Sequence, residues 1–222
     1  MSIVLKDDDS PSTMSAGFIT HLVEYGWARQ AIFLDADLTL ALAAECQGLN
    51  DQNLLRIAKT GRVTKPDMQM GLQPKIQNQA KTEAQLRSDQ ISWLSIGQSL
   101  ACDQYLLLME SLRQQLNRDL FLGLDDYESH FAFYAPGAFY AQHRDRFQDD
   151  DRRTISVVIY LNQDWQTEQG GALRLHLNDS KPLDIAPEAS SMVLFLSATM
   201  LHEVLPATRD RLSLAGWFRR RL

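Results

Sequence analysis

Short apolar runs separated by turn residues fill the second half of the chain, and this pattern constrains the fold more than any other feature. The turn residues include Pro136-Gly137, Gly170-Gly171, Asn178-Asp179 and Pro206. The predicted strands are Ser129 to Tyr134, Phe139 to Gln142, Thr154 to Leu161, Ala172 to Leu177, Leu183 to Ala186, Met192 to Leu196, Leu201 to Leu205 and Leu212 to Phe218. Many short strands with few helices between them are typical of a sandwich or jelly-roll barrel.

Helical patterns belong to the first half of the chain. Apolar residues recur at helical spacing from Ser99 to Leu122, and Gly123 follows them, so we predict a long amphipathic helix that packs on one face of the sheet. Trp27 to Leu34 is predicted as a strand, and Asp35 is placed to cap the helix that comes after it. Residues 1–15 are polar and acidic, which predicts a flexible N-terminus.

Together these patterns predict one α+β domain over residues 16–222. Its helical part covers about 16–125 and its jelly-roll core about 126–222, a length sufficient for one sizeable hydrophobic core. Segment 59–85 is rich in Gly, Pro, Gln, Lys and Thr and has few large apolar residues. A loop of this length in a compact domain is either a functional lid or a disordered segment, and the sequence leaves both open.

Charge and cysteine content exclude several classes of protein. The formal net charge is -6, which opposes broad binding to nucleic acid because such binding needs a positive face. Cys46 and Cys102 lie far apart in predicted helices, so they indicate neither a disulfide framework nor a cysteine zinc site. The sequence shows no signal peptide and no apolar run of membrane-spanning length, and we therefore expect a cytoplasmic protein, most simply a monomer.

Three side chains in the β-rich half form a candidate metal site. His143 and Asp145 lie two positions apart just after a predicted strand, where a period of two would put both on one face. His202 lies in a later predicted strand. Two histidines and one carboxylate suit non-haem iron(II) and leave open positions for a bidentate keto acid and for dioxygen. For His143 and Asp145 taken alone, a surface ion pair is the alternative.

Arg211 opens the last predicted strand, nine residues after His202. A dicarboxylate keto acid that chelates a metal through one end still has a remote carboxylate to satisfy. A guanidinium group can meet that carboxylate with two planar hydrogen bonds. We therefore predict that Arg211 anchors the co-substrate, with a surface arginine on an edge strand as the alternative.

Four motifs occur in an order that resembles one enzyme family. They are Tyr134-Ala-Pro-Gly-Ala-Phe-Tyr140-Ala-Gln-His143-Arg-Asp145, Thr154-Ile-Ser-Val-Val-Ile-Tyr160-Leu-Asn162, Gly170-Gly171-Ala-Leu173-Arg174, and Leu201-His202-Glu-Val with Arg211 and Trp217. Their order resembles the prolyl 4-hydroxylase group of iron(II)- and 2-oxoglutarate-dependent dioxygenases, particularly the hypoxia-factor prolyl hydroxylases and their bacterial relatives. The resemblance covers about Leu86 to Phe218 and implies a double-stranded β-helix, or jelly-roll, core in a single oxygenase domain.

The resemblance also implies roles for individual residues. Iron would be held by the three candidate ligands named above. Arg211 and the hydroxyl of Tyr160 would bind the C5 carboxylate of 2-oxoglutarate. Tyr134 would lie near the co-substrate, and Leu173 would form a wall of its pocket.

Substrate contacts are implied in the same way. Tyr140 and Trp217 match positions that line the proline pocket in those enzymes, with plain core packing as the alternative. The run from Arg87 to Trp93, Arg-Ser-Asp-Gln-Ile-Ser-Trp, resembles one that precedes the long helix in the same family. It implies that Asp89 and Arg87 lie at the mouth of the site, near iron-bound water or the peptide, and a helix cap or surface pair is the alternative for Asp89.

The implied reaction is hydroxylation of a prolyl residue in a protein, with release of succinate and CO2. Its cofactors and co-substrates would be Fe(2+), 2-oxoglutarate and O2, with ascorbate as a supporting reductant. Elongation factor Tu is the first candidate substrate, because bacterial relatives act on it. A non-catalytic sensor of 2-oxoglutarate or oxygen would use the same ligands. An oxygenase acting on nucleic acid would resemble a pattern with a second arginine where this chain has Trp217, and halogenases lack the carboxylate that Asp145 supplies.

Overall fold

A computed structural model describes residues 14–58, 86–146, 151–177 and 180–221. Most of the predicted flexible N-terminus and the whole of segment 59–85, with its lid prediction, lie outside the described residues. The helices are α1 (Ala16–Tyr25), α2 (Ala36–Asp51) and α3 (Leu100–Leu120), with a 3-10 turn at Thr167–Gln169. The strands are β1 (Trp27–Gln30), β2 (Arg56–Ile57), β3 (Gln90–Trp93), β4 (Leu124–Tyr134), β5 (Tyr140–His143), β6 (Arg153–Tyr160), β7 (Leu173–His176), β8 (Leu183–Ile185), β9 (Met192–Leu196), β10 (Leu201–Val204) and β11 (Arg211–Arg220).

The strands form two antiparallel sheets. The larger sheet has the strand order β1-β9-β6-β11-β4-β3-β2, and the smaller one has the order β5-β10-β7-β8. Each of the eight strands predicted in the second half of the chain is present, within a few residues of its expected bounds, whereas the predicted strand Trp27 to Leu34 is shorter and ends at Gln30. Strands β2 and β3 were not expected as strands, and they extend the larger sheet beyond β4.

The larger sheet separates two hydrophobic cores, as strand β4 shows. Phe131 and Phe133 belong to the core that includes the three helices, whereas Ala132 and Tyr134 belong to the core between the two sheets. This alternation follows from the period of two in a strand, which sends successive side chains to opposite faces. Two facing sheets with helices on one outer side confirm the predicted α+β jelly-roll.

Helices α2 and α3 begin where the sequence predicted, and a side chain caps each of them. Asp35 accepts a hydrogen bond from the backbone N–H of Leu38 at 2.7 Å, and Ser99 accepts one from Cys102 at 3.1 Å. Helix α3 packs its buried face on the larger sheet, as expected. It ends at Leu120, two residues before the predicted end at Leu122, because the left-handed capping position is taken by Phe121 (φ 54°).

The residue that caps helix α1 lies inside the segment that was predicted to be flexible. Ser15 caps it by accepting a hydrogen bond from the backbone N–H of Phe18. Met14 is buried and exchanges two backbone hydrogen bonds with the side chain of Gln115. The folded part therefore includes at least these two residues of the range 1–15. None of the helices in the described part of the chain is long and apolar enough to cross a membrane.

Candidate active site

The three predicted metal ligands meet at the open end of the smaller sheet. His143 ends β5 and lies directly opposite His202 on β10, and Asp145 follows two residues after β5. Asp145 Oδ1 lies 3.4 Å from Nε2 of His143 and 3.7 Å from Nε2 of His202. One ligand atom from each residue falls within 4.8 Å of the other two. Two imidazoles and a carboxylate in this arrangement fit a divalent iron ion with open coordination positions.

Hydrogen bonds to the backbone orient both imidazoles for a metal. Nδ1 of His143 lies 2.8 Å from the carbonyl oxygen of Ala141, and Nδ1 of His202 lies 3.2 Å from that of Met200. A carbonyl oxygen only accepts, so each Nδ1 carries the proton and each Nε2 presents its lone pair. Burial lowers the pKa of His202 to about 4. The ring is therefore neutral at physiological pH, as a metal ligand must be.

A serine pair holds the carboxylate. Ser156 on β6 donates a hydrogen bond of 2.7 Å to Asp145 Oδ2, and its hydroxyl also lies 2.8 Å from the hydroxyl of Ser197. Burial raises the pKa of Asp145, but the two histidines in their protonated form and the hydrogen bond from Ser156 outweigh it and hold the pKa well below its usual range. Asp145 is therefore ionised and directed at the metal position.

Arg211 lies in the same cavity as the metal ligands and is almost wholly buried, with 1% of its surface exposed. Its Nε donates to the carbonyl oxygen of Gly171 at 2.8 Å, and its Nη1 donates to Ser213 Oγ at 3.2 Å. Nη2 of Arg211 and the hydroxyl of Tyr160 are both buried without a hydrogen-bond partner among the described residues. Buried donors of this kind are costly unless a ligand satisfies them.

These unpaired donors fit the remote carboxylate of 2-oxoglutarate. The Arg211 guanidinium carbon lies 5.2 Å from the centre of the Tyr160 ring and 4.9 Å from that of Tyr134. Burial raises the pKa of Tyr160 to about 12, against the opposing effect of Arg211, so its hydroxyl keeps a proton to donate. Leu173 and Tyr134 line the same cavity of about 610 Å³. The metal ligands and Arg211 line this one cavity, so a dicarboxylate in it can meet a metal at one end and the guanidinium at the other.

Comparison with known proteins agrees with this geometry. The model of the 2OG-Fe(II) oxygenase superfamily matches residues 129–219. A crystal structure of a Pseudomonas putida prolyl-4-hydroxylase is 48% identical, covers 93% of this chain and 99% of its own, and has a TM-score of 0.79. The chain belongs to the 2OG-Fe(II) oxygenase superfamily. It is accordingly an oxygenase that uses iron(II) and 2-oxoglutarate.

More distant relatives share part of this oxygenase. Egl nine homolog 1 of Mus musculus is 29% identical over 153 residues, and the human protein of that name is 27% identical over 153 residues. The match covers 64% of this chain but only 38% and 35% of those proteins. A prolyl hydroxylase from Trichoplax adhaerens, solved with a peptide fragment of the hypoxia inducible factor oxygen degradation domain, is 22% identical with a TM-score of 0.73, which shows a common fold.

Besides the metal ligands, several aromatic side chains line the cavity of the oxygenase, and we call the part that they line the mouth. Trp217 lines it with its indole N–H buried and without a partner among the described residues. The guanidinium of Arg153 covers the Trp217 ring at 3.6 Å, and Trp93 lies nearby, half of its surface exposed. Tyr140 also lines the cavity and stacks on His143. The predicted pair of Tyr140 and Trp217 is therefore on the cavity wall.

Arg87 and Asp89 are adjacent but have different environments. Arg87 lines the cavity, and the role that the resemblance implied for it at the mouth stays a prediction. Asp89 is completely buried and accepts two hydrogen bonds from Arg87, so its carboxylate does not reach the cavity. The expectation that Asp89 faces iron-bound water or a peptide therefore does not match its position. A surface pair, the alternative, does not match it either.

Several residues that shape the site were not anticipated from the sequence. They are Ser156 and Ser197 beside Asp145, Gly171 and Ser213 beside Arg211, and Trp93, His130 and Arg153 at the mouth. Ser156 had a usable signal, because it is the one hydroxyl residue in the otherwise apolar run Ile155 to Ile159 of strand β6. A buried serine in such a strand needs a hydrogen-bond partner, and a carboxylate can supply it.

Proposed function

We propose that this oxygenase hydroxylates a prolyl residue in a protein substrate, consuming 2-oxoglutarate and O2 and releasing succinate and CO2. The observation that carries the proposal is a single cavity lined by three kinds of group. These are the His-Asp-His ligand set, a buried arginine with an unsatisfied N–H, and the aromatic side chains of the mouth. The similarity to a prolyl-4-hydroxylase over nearly the whole chain supports proline as the target.

The residues of the chain divide the work of this reaction. Bound iron and 2-oxoglutarate would supply the oxidising chemistry, which belongs to the cofactor. His143, Asp145 and His202 would hold the metal, and Arg211 with Tyr160 would hold the co-substrate's remote end. A proline ring is apolar and carries no N–H donor in a peptide. The flat aromatic walls of the mouth suit such a ring better than a charged side chain.

Substrate identity is the finer part of the proposal. Elongation factor Tu is the first candidate, on the basis of the motif resemblance to bacterial prolyl hydroxylases. A protein substrate, rather than nucleic acid, is favoured by the formal net charge of -6. Monomeric state, cytoplasmic location and support by ascorbate stay predictions from the sequence.

The test measures succinate release by the full chain with iron(II), 2-oxoglutarate and ascorbate in air. Purified elongation factor Tu is added in one arm, and the proteome of a strain lacking this protein is added in another. Mass spectrometry then locates any added oxygen atom, with His202→Ala as the inactive control. Substrate-dependent succinate with oxygen on a proline supports the proposal. Oxygen on another residue type, or binding of 2-oxoglutarate without turnover on any protein, overturns it.

A further inference from the structure

Three flat groups form a column that ends on a metal ligand. The guanidinium carbon of Arg87 lies 4.1 Å from the centre of the Tyr140 ring. The Tyr140 ring in turn stacks on the imidazole of His143, with 3.5 Å between the ring centres and 16° between the planes. The imidazole of His143 also contacts that of His202, with ring centres 4.2 Å apart and 53° between the planes. The metal-binding imidazole is thus packed against both this column and the second histidine ligand.

A backbone irregularity makes the stack between Tyr140 and His143 possible. Residues three apart on a regular strand point to opposite faces. In the pairing of β5 with β10, however, His143 lies opposite His202 and Tyr140 lies opposite Val204. Three steps on β5 therefore match two steps on β10, which is one extra residue on β5. Such a bulge redirects side chains, and here it brings both rings to one face.

The far end of the column is held rigidly. Arg87 donates from Nε and Nη2 to the two carboxylate oxygens of Asp89, at 2.7 and 2.6 Å. Asp89 has no exposed surface, so it is retained in the core only because this partner satisfies it. Arg87 is also bridged to Tyr140 through the backbone, and Ser88 N–H donates to the carbonyl oxygen of Phe139 at 3.0 Å. The guanidinium plane therefore has little freedom to leave the Tyr140 ring.

We propose that Arg87, held by Asp89, is a positioning residue for the iron ligand His143 and acts through the ring of Tyr140. The Nδ1 bond to Ala141 fixes which nitrogen faces the metal but leaves the tilt of the imidazole plane to be set by packing. The column sets that tilt. Asp89 has a second effect, because its negative charge cancels the positive charge of Arg87 close to a site that must accept a cation. The inference concerns the metal and is independent of the substrate proposed above.

The test is titration of Co(2+), which is stable in air, into the metal-free full chain, following the visible absorption of the bound ion. Partners outside the ligand shell typically contribute about 10- to 100-fold to metal affinity. We expect Arg87→Leu and Asp89→Asn each to weaken Co(2+) binding by roughly this factor and to change the shape of the absorption band. Arg87→Lys should also lose affinity, since it keeps the charge but not the flat group that stacks on Tyr140.

Variants of Tyr140 distinguish a loss of positioning of His143 from general damage to the fold. Tyr140→Phe keeps the ring and should bind Co(2+) normally, whereas Tyr140→Leu should bind as weakly as Arg87→Leu. The double variant Arg87→Leu/Tyr140→Leu should be no weaker than either single variant, because both changes break one column. Additive losses would overturn the proposal.

The chain offers a matched control on β7 and β8. Arg174 and Asp184 form a bidentate pair of the same geometry, at 2.7 and 2.8 Å, in an exposed position where neither residue lines the cavity. Asp184→Asn should leave Co(2+) affinity unchanged. Thermal melting of each metal-free variant shows whether it is folded, and Arg87→Lys is the measurement to use if the leucine variant is not. If the Arg87 variants bound Co(2+) normally but had a raised KM for the protein substrate, Arg87 would be a substrate contact, and this would overturn the proposal.

Discussion

Replacement of Arg211 by alanine tests the co-substrate site most directly. The guanidinium is buried, and two of its three nitrogens are already occupied by Gly171 and Ser213. Nη2 and the Tyr160 hydroxyl have no hydrogen-bond partner among the described residues, so both are left for a ligand. In the alanine variant the remote carboxylate of 2-oxoglutarate would enter the same buried pocket without a cation.

The expected loss follows from this burial. Removal of one partner of a desolvated charge pair costs roughly 2–5 kcal/mol, which corresponds to about 30-fold to several-thousand-fold in affinity. Tyr160→Phe removes one uncharged donor and should cost roughly 0.5–1.5 kcal/mol, or about 2- to 13-fold. Arg211→Lys should recover only part of the loss, because an ammonium group lacks the planar arrangement of donors.

The assay titrates 2-oxoglutarate into the iron-loaded protein without oxygen and follows the metal-to-ligand charge-transfer band. Iron binding is measured first in each variant. The Arg211→Ala variant should keep iron and lose affinity for 2-oxoglutarate. A dissociation constant equal to that of the wild type would place the carboxylate elsewhere and refute the assignment. Loss of iron would show instead that the barrel itself was damaged.

Three further predictions follow from close contacts in the structure. Ser156→Ala should weaken Co(2+) binding by about 10- to 100-fold, since it removes the bond that orients Asp145; a change below about twofold would contradict this. Gly171→Ala should raise the dissociation constant for 2-oxoglutarate, because on backbone with φ of +70° the added Cβ would lie 2.9 Å from the Trp165 ring, 3.0 Å from Cβ of Ala207 and 3.3 Å from Cδ of Arg211, so that the neighbours of the guanidinium must shift. An unchanged constant would count against that role. Gly216→Ala would place a methyl group against the hydroxyl of Tyr127 and the backbone carbonyl oxygen of Glu128 on the neighbouring strand β4, and should cost roughly 1–3 kcal/mol of folding stability. Thermal melting should show it as a decrease of about 2–12 °C.

Local patterns were sufficient to predict the strands of the jelly-roll. Met192–Leu196 has the predicted bounds, because its continuous apolar run is flanked by serines on both sides. The strand β3, Gln90–Trp93, was not expected, since its four residues are only partly buried. It is a strand because β4 provides hydrogen-bond partners, and no property of its own sequence specifies that pairing.

The metal ligands and Arg211 were likewise predictable from residue type, spacing and motif order, since these residues must be chemically able to bind iron and a carboxylate. Their surroundings were decided by the tertiary structure. The extra residue in β5 that stacks Tyr140 on His143 exists only relative to its partner strand β10. The same is true of the hydrogen bonds that Nε and Nη1 of Arg211 make to the protein, which leave Nη2, together with the hydroxyl of Tyr160, without a partner among the described residues. A sequence specifies which groups are present, whereas the hydrogen bonds they have left for a ligand depend on neighbours that are distant in the chain.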